Sequence, residues 1–278
     1  MFRFPASKHW LAIMNPITIS ISDKKLVAKN TWEITFQCLE AGNLNIEAGQ
    51  YMRLVIPEIV GGARENSRVF SAILTPLMFR FPASKHFGVV FRESLSAFKQ
   101  YLINAPIGTQ MLAYGPFGDF TLPKQCLEAG NLNIGMVAGG VGIAPFLSMA
   151  RYANEEKLPH RITLFYANAD KESAAYLPEL AELERQNPNF SVRLKFGAVD
   201  TEFLTSVLNT RENAAGSDLQ QCEKFGNNNP GSVEVGGGRS DLYDFVYIAG
   251  PMGMADGVKK ILAAIGVGSE KIKCEIFG

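Results

Sequence analysis

Cysteine and histidine are scarce in this chain of 278 residues, which has four of the first and three of the second. Cys38, Cys126, Cys222 and Cys274 lie far apart, with neither Cys-x-x-Cys nor ferredoxin-like spacing. An iron–sulfur cluster held by this chain is therefore not expected, and the cysteines read as unpaired thiols in a reducing compartment. His9, His86 and His160 have no metal-ligand spacing, so no metal site is expected. Net charge is also missing: Lys plus Arg and Asp plus Glu number 27 each. Without a long basic run, nucleic acid is a poor partner. No apolar run approaches the roughly 20 residues that cross a bilayer. The opening Met1 to His9 is broken by Pro5, Lys8 and His9, unlike a secretory signal. The expectation is a cytoplasmic protein with no membrane span.

What is present is 47% hydrophobic residues, enough for a sizeable core in one large or two ordinary domains. The organising stretch is Ile134 to Met149, an apolar run that passes through Gly139, Gly140 and Gly142 into a segment with Pro145 near its start. It reads as a buried strand feeding a helix through glycines. Such a turn lets the backbone approach a ligand, and the unpaired amides of the helix's first turn suit an anion such as a pyrophosphate. The spacing is not Gly-x-Gly-x-x-Gly, and no Lys-Ser or Lys-Thr of a P-loop follows.

The two halves have different periods. Ile17 to Phe36 alternates apolar and polar residues, and Tyr51 to Ile56, Arg68 to Leu74, Gly88 to Phe91 and Gln110 to Ala113 continue a series of short strands. These predict an antiparallel Greek-key β-barrel, interrupted by one helix over Ser94 to Leu102. Leu122 to Lys124 is the expected hinge, dividing a barrel at 15–123 from a second domain at 124–278. Beyond it, strands near Gly135, Arg161 to Ala167, Ser191 to Phe196, Phe245 to Ile248 and Lys271 to Phe277 alternate with helices through Tyr152, Ala174 to Arg185, Glu202 to Leu208 and Met254 to Ile265. That order predicts an α/β parallel-sheet domain covered on both faces. Residues 210–242, with Asn-Asn-Asn-Pro-Gly and Gly-Gly-Gly, read as a flexible insertion. Two segments recur identically: residues 1–9 at 78–86, and 37–46 at 125–134. They share no fixed period, which excludes a solenoid, and neither supplies a reacting group.

Three further segments carry chemistry. Arg68 offers a guanidinium fork to a diphosphate, Phe70 a wall for an aromatic ligand, and Ser71 a hydroxyl to a heteroaromatic ring. Ser94 or Ser96 is placed to cap the following helix, whose amides suit phosphate, and Lys99 adds charge. Gly115 to Phe120 makes a rigid turn before the hinge.

In this order the motifs resemble the ferredoxin–NADP reductase superfamily of flavoprotein oxidoreductases, over about Ile17 to Gly278. Arg68-Val69-Phe70-Ser71, followed by Thr75-Pro76, looks like the family's Arg-x-Tyr/Phe-Ser flavin motif. Ser96 to Leu102 looks like its phosphate-supporting segment, and Gly115 to Phe120 like its Gly-Pro-Phe-Gly-x-Phe turn. Ala138 to Pro145 is similar to its nicotinamide pyrophosphate motif, and Ala249-Gly250-Pro251-Met252 to its later Cys-Gly-Pro motif.

The resemblance implies an FAD barrel, a nicotinamide domain, and hydride transfer from nicotinamide C4 to flavin N5. Arg68, Ser96 and Lys99 would bind flavin phosphate, Phe70 the isoalloxazine, and Ser71 would lie near N5. Gly139, Gly140, Gly142, Gly250 and Pro251 would form the nucleotide site, and Glu275 would orient the ring or assist proton movement. Ala249 stands where relatives often have cysteine, and the chain ends Phe277-Gly278 rather than on an aromatic. Ala169 and Ala198 lack the basic side chains that meet the extra phosphate of NADPH, which favours NADH unless Lys171 or Arg211 compensates. The electrons would pass to a separate acceptor, an iron–sulfur or other redox protein. The alternatives are an NAD(P)H:flavin reductase or diaphorase, and a nonenzymatic nucleotide-binding regulatory subunit.

Overall fold

The computed structural model describes residues 15–40, 44–60, 65–74, 86–123, 131–203 and 243–277. Thr75, Pro76, Lys124, Cys126, Cys222, Arg211, residues 78–85 and 125–130 of the repeated segments' second copies and the expected insertion at 210–242 lie outside them.

The alternating N-terminal runs form β1 (Ile17–Ala28), β2 (Thr31–Cys38), β3 (Tyr51–Val55), β4 (Ser67–Ser71), β5 (Ile73–Leu74), β6 (His86–Arg92) and β7 (Gln110–Phe117), with α1 (Ala97–Asn104) between the last two. They pair antiparallel in the order β4-β3-β7-β1-β2-β6-β5. The two edge strands, β4 and β5, are consecutive in the chain, separated by Ala72 alone, so the sheet must roll until its edges meet. The expected single strand from Arg68 to Leu74 is thus two, because Ala72 leaves the ladder and its amide donates to Gln50 O at 2.9 Å.

The second unit comprises β8 (Asn133–Gly139), a single 3-10 turn (Gly140–Gly142), α2 (Ile143–Glu155), β9 (Arg161–Asn168), α3 (Leu177–Gln186), β10 (Phe190–Phe196), β11 (Phe245–Pro251), α4 (Met252–Ala264) and β12 (Ile272–Phe277). Its five strands are parallel in the order β10-β9-β8-β11-β12. Strand alternation sends Met136, Leu164 and Tyr247 into one core and Val137, Phe165 and Ile248 into another beneath α4, which is why the strands read as continuous apolar runs. α3 starts at Leu177 rather than Ala174 because Tyr176 adopts left-handed backbone, φ 64°, just before it. Of the helix expected over Glu202 to Leu208, residues 201–203 are helical and 204–208 lie outside the described residues.

One core runs through both units, joining barrel residues such as Met52 and Phe87 to Phe146 and Tyr247. Phe120, at the end of the barrel, packs on Phe146 at 5.8 Å and edge-on to Tyr247 at 5.2 Å. Each such aromatic contributes roughly 2–3 kcal/mol by leaving water. The Tyr247 hydroxyl donates to Thr121 O at 2.8 Å. Among the described residues no helix is long and apolar enough to cross a membrane.

Candidate functional site

Three of the expected flavin residues meet on one side of the barrel. From β4, Arg68 Nη1 donates to Ser67 O at 2.8 Å and Nη2 to Ser96 Oγ at 3.3 Å, with the guanidinium 5.7 Å from the Phe98 ring. Ser96 occupies the N-cap position of α1 but makes no capping bond, contrary to expectation, because its hydroxyl faces Arg68 instead. Lys99 Nζ donates to Arg92 O at 3.0 Å. Burial first, and then the charge of Arg68, hold the Lys99 ammonium below its usual pKa. Two cations that disfavour each other are what a bound diphosphate would relieve, so these residues fit the phosphates of a flavin. Phe70 is only 8% exposed, its ring packed on Phe91 at 5.8 Å and Phe98 at 6.1 Å.

Ser71 and Glu275 are 204 residues apart and meet in the interior. Ser71 Oγ donates to Glu275 Oε1 at 2.8 Å. Glu275 sits in β12 directly across from Ala249 of β11, the small residue expected to stand in place of a cysteine. Burial pushes the Glu275 pKa up to about 7, the Ser71 hydroxyl opposing part of the rise. Its Oε2 is buried without a hydrogen-bond partner. An orphaned carboxyl oxygen at this point fits a polar group supplied by a bound ring. Tyr51 stands directly across from Ser71 in the β3–β4 ladder. Its phenol is raised by burial first, then by the charges of Glu275 and Asp119.

On the sheet side, strand order reverses between β8 and β11, whose carboxyl ends carry Gly139 and Gly250. Ligands of open parallel sheets bind in this crevice. The glycines there have two duties. A methyl group on Gly142 would lie 2.1 Å from Ala249 O, and one on Gly139 2.3 Å from Met254 Sδ, so these two allow β8, β11 and α4 to close on one another. Gly140, at φ +54°, borders open space, with Arg92 Nη2 as its nearest neighbour at 3.9 Å. α2 then begins with no side-chain cap. The Ile143 amide bonds back to Gly140 O and Pro145 has none, so the helical run starts at the Gly140–Gly142 turn, whose leading amides fit a pyrophosphate. Pro251 ends β11 exposed and occupies the N-cap position of α4, which has no side-chain capping bond.

Two residues beside this turn were not anticipated. Arg92 lies near Gly140, and its charge acts on both Tyr166 and Asp170. Asn168, at the end of β9, is 5% exposed, and neither of its amide atoms makes a hydrogen bond of good geometry, although the Tyr166 hydroxyl is close. Nothing in the sequence distinguishes Arg92 from a solvated arginine; Asn168 is notable only because the fold buries it. Asp170 accepts from the Ser173 amide at 2.8 Å and from its hydroxyl, which lowers its pKa.

Residues 136–260 match the oxidoreductase NAD-binding domain family. Flavohemoprotein A of Dictyostelium discoideum is 26% identical over 235 residues, covering 83% of this chain and 52% of that protein. The reductase component of propane 2-monooxygenase from Rhodococcus jostii (strain RHA1) is 24% identical over 247 residues, covering 86% and 57%. Among solved structures, ferredoxin-NADP+ reductase from Plasmodium falciparum superposes with a TM-score of 0.67 at 16% identity, covering 95% of this chain and 97% of that one. The chain therefore has the two-domain fold of the ferredoxin-NADP+ reductases, with an oxidoreductase NAD-binding domain in its second half. The chain spans about half the length of the curated relatives it matches.

Proposed function

We propose that the chain is a flavin-dependent NAD(P)H oxidoreductase that passes electrons to a separate redox protein, with FAD in the barrel at 15–123 and the nucleotide in the domain at 124–278. The observation that carries this reading is the buried Ser71–Glu275 bond, which joins the flavin motif of one domain to the last strand of the other at 2.8 Å. When bound, the flavin supplies acceptance of hydride at N5 from nicotinamide C4 and onward release of the electrons. The protein's task is alignment, since hydride transfer needs no serine nucleophile.

In this reading Arg68, Ser96 and Lys99 hold the flavin phosphates, and Phe70 supports the ring from within the barrel. Gly139, Gly140, Gly142, Gly250 and Pro251 shape the nucleotide crevice, and Arg92 faces its charge. Glu275, raised to about 7, exchanges a proton near neutrality while its Oε1 accepts the Ser71 Oγ–H bond. Ala169 and the acidic Asp170, just beyond β9, favour NADH over NADPH, because the extra phosphate would find no basic side chain at Ala169 and a carboxylate at Asp170. The reductase component of propane 2-monooxygenase, among the relatives, supports an acceptor on another protein.

Anaerobic stopped-flow spectroscopy tests this directly. The purified protein should keep a yellow flavin through gel filtration, and NADH should bleach it faster than NADPH. A tenfold or greater advantage for NADPH overturns the coenzyme preference, and failure of a folded sample to take up FAD overturns the reading itself. Loose flavin with fast turnover of added FMN would instead mark a flavin reductase.

A further inference from the structure

Between the flavin strand and the nucleotide turn, two buried side chains of α2 act as a substitute β-strand. β5 is an edge strand whose one side pairs with β6 through Ile73 and Leu74. On its other side Ser148 Oγ donates to Ala72 O at 2.8 Å and accepts from the Leu74 amide at 3.0 Å. One turn further along α2, Arg151 Nη1 donates to Leu74 O at 2.6 Å. Its Nε and Nη2 are held by the two carboxylate oxygens of Glu179, in α3, at 2.6 and 2.9 Å. Ser148 is fully buried and Arg151 is 8% exposed.

The placement of these bonds matters more than their number. Ala72 directly follows Ser71, and α2 directly follows the glycine turn at Gly140–Gly142. Three main-chain groups of the barrel, Ala72 O and the amide and carbonyl of Leu74, therefore depend on one helix of the other domain. Sliding by even one position would orphan buried donors and acceptors, which is costly away from water. Apolar contacts between the domains, being non-directional, impose no such register.

We propose that Ser148 and Arg151 are positioning residues that set the register between the flavin strand and the nucleotide turn, acting through the main chain of Ala72 and Leu74. This rests on the oxidoreductase reading above, since register matters to the degree that two rings must align. Misplacement of about 1 Å can cost on the order of a hundredfold in rate. Neither side chain touches a reacting atom, so the expected defect lies in the chemical step rather than in binding.

The test uses the FAD-loaded protein. Ser148→Ala should keep its flavin and its Kd for NAD+ within about twofold, yet lose roughly tenfold or more in the rate of flavin reduction. It should also weaken the long-wavelength charge-transfer absorbance of stacked nicotinamide and flavin. Arg151→Lys, which keeps a donor for Leu74 O, should recover more of that absorbance and rate than Arg151→Met. A Ser148→Ala protein with normal absorbance and rate, altered only in melting temperature, overturns the proposal. Hydrogen exchange supplies an arm that needs no variant to fold: NAD+ added to the native protein should slow exchange in residues 72–74 of the barrel. Protection confined to the nucleotide domain also overturns the proposal. If native protein shows the coupled protection but neither NADH nor NADPH bleaches its flavin, the register device stands and the oxidoreductase reading fails.

Discussion

The two walls of the cleft are built by opposite means. On the barrel side the polar groups already bond to protein: Arg68 to Ser67 O and Ser96, Lys99 to Arg92 O, Ser71 to Glu275. On the sheet side the wall is close-packed glycine backbone, and buried polar atoms without partners lie beside it, Glu275 Oε2 and the Asn168 amide. The barrel wall is thus organised before any ligand arrives. The sheet wall carries uncompensated desolvation, at about 1–3 kcal/mol for each orphaned group, which a correctly placed ligand can offset. A preorganised wall suits a cofactor that stays, and a wall that gains from being filled suits a nucleotide that comes and goes.

The glycine backbone gives the sharpest way to break this contrast. Gly142→Ala would force its methyl group against Ala249 O at 2.1 Å, where both partners are main chain and neither can change rotamer. The expected loss is about 3 kcal/mol or more of stability, with nucleotide binding abolished, as read by denaturant unfolding and NADH titration. Gly140→Ala meets nothing nearer than Arg92 Nη2 at 3.9 Å and pays only for its φ of +54°, roughly 1–2 kcal/mol. If both variants lose the same stability, close packing is not what distinguishes the two glycines.

Glu275 gives the next effect, and it has a sign. Its folded pKa of about 7 lies above the ordinary carboxyl value, with burial as the main cause. The native state therefore binds the proton more tightly than the unfolded chain. That contribution is present in full below the unfolded carboxyl pKa and is lost as pH rises through about 7. Flavin-free protein should thus lose on the order of 3 kcal/mol relative to Glu275→Gln across that window. Urea unfolding of both proteins in steps across the window measures it. Parallel curves would mean that the carboxyl is solvated in the native state.

Much of this fold is legible from period alone. Ile17 to Phe36 alternates because one face of a rolled sheet meets solvent, and Ile134 to Ala138 does not because helices cover both faces of the parallel sheet. Local signals failed where a distant partner overrode them. Ser96 has the residue type and place of a cap, but Arg68, 28 residues earlier in the chain, takes its hydroxyl. Tyr176 looks helical, yet its backbone is left-handed and its hydroxyl donates to Glu33 of the barrel at 2.6 Å. The motif order brought Ser71 and Glu275 under notice separately. Their bond could not be read from spacing, because it depends on how the last strand of one domain meets the first edge of the other. Asn168 is the extreme case, a residue whose importance exists only once β9 is buried.

The smallest effect separates the walls most cleanly, because it reverses direction between them. Arg68→Met deletes bonds to Ser67 O and Ser96 that exist without ligand, and should destabilise the empty protein by about 1 kcal/mol while loosening flavin. Asn168→Leu replaces a buried amide that lacks partners with an apolar group of similar volume. By the asymmetry between made and unmade hydrogen bonds, the empty protein should become more stable by up to about 1 kcal/mol. Its affinity for NADH should nonetheless fall roughly fivefold, as one polar contact to the nucleotide is lost. Thermal unfolding of the two variants with and without ligand reads both signs at once. Should Asn168→Leu destabilise the empty protein as Arg68→Met does, the amide is already satisfied, and the sheet wall is as preorganised as the barrel.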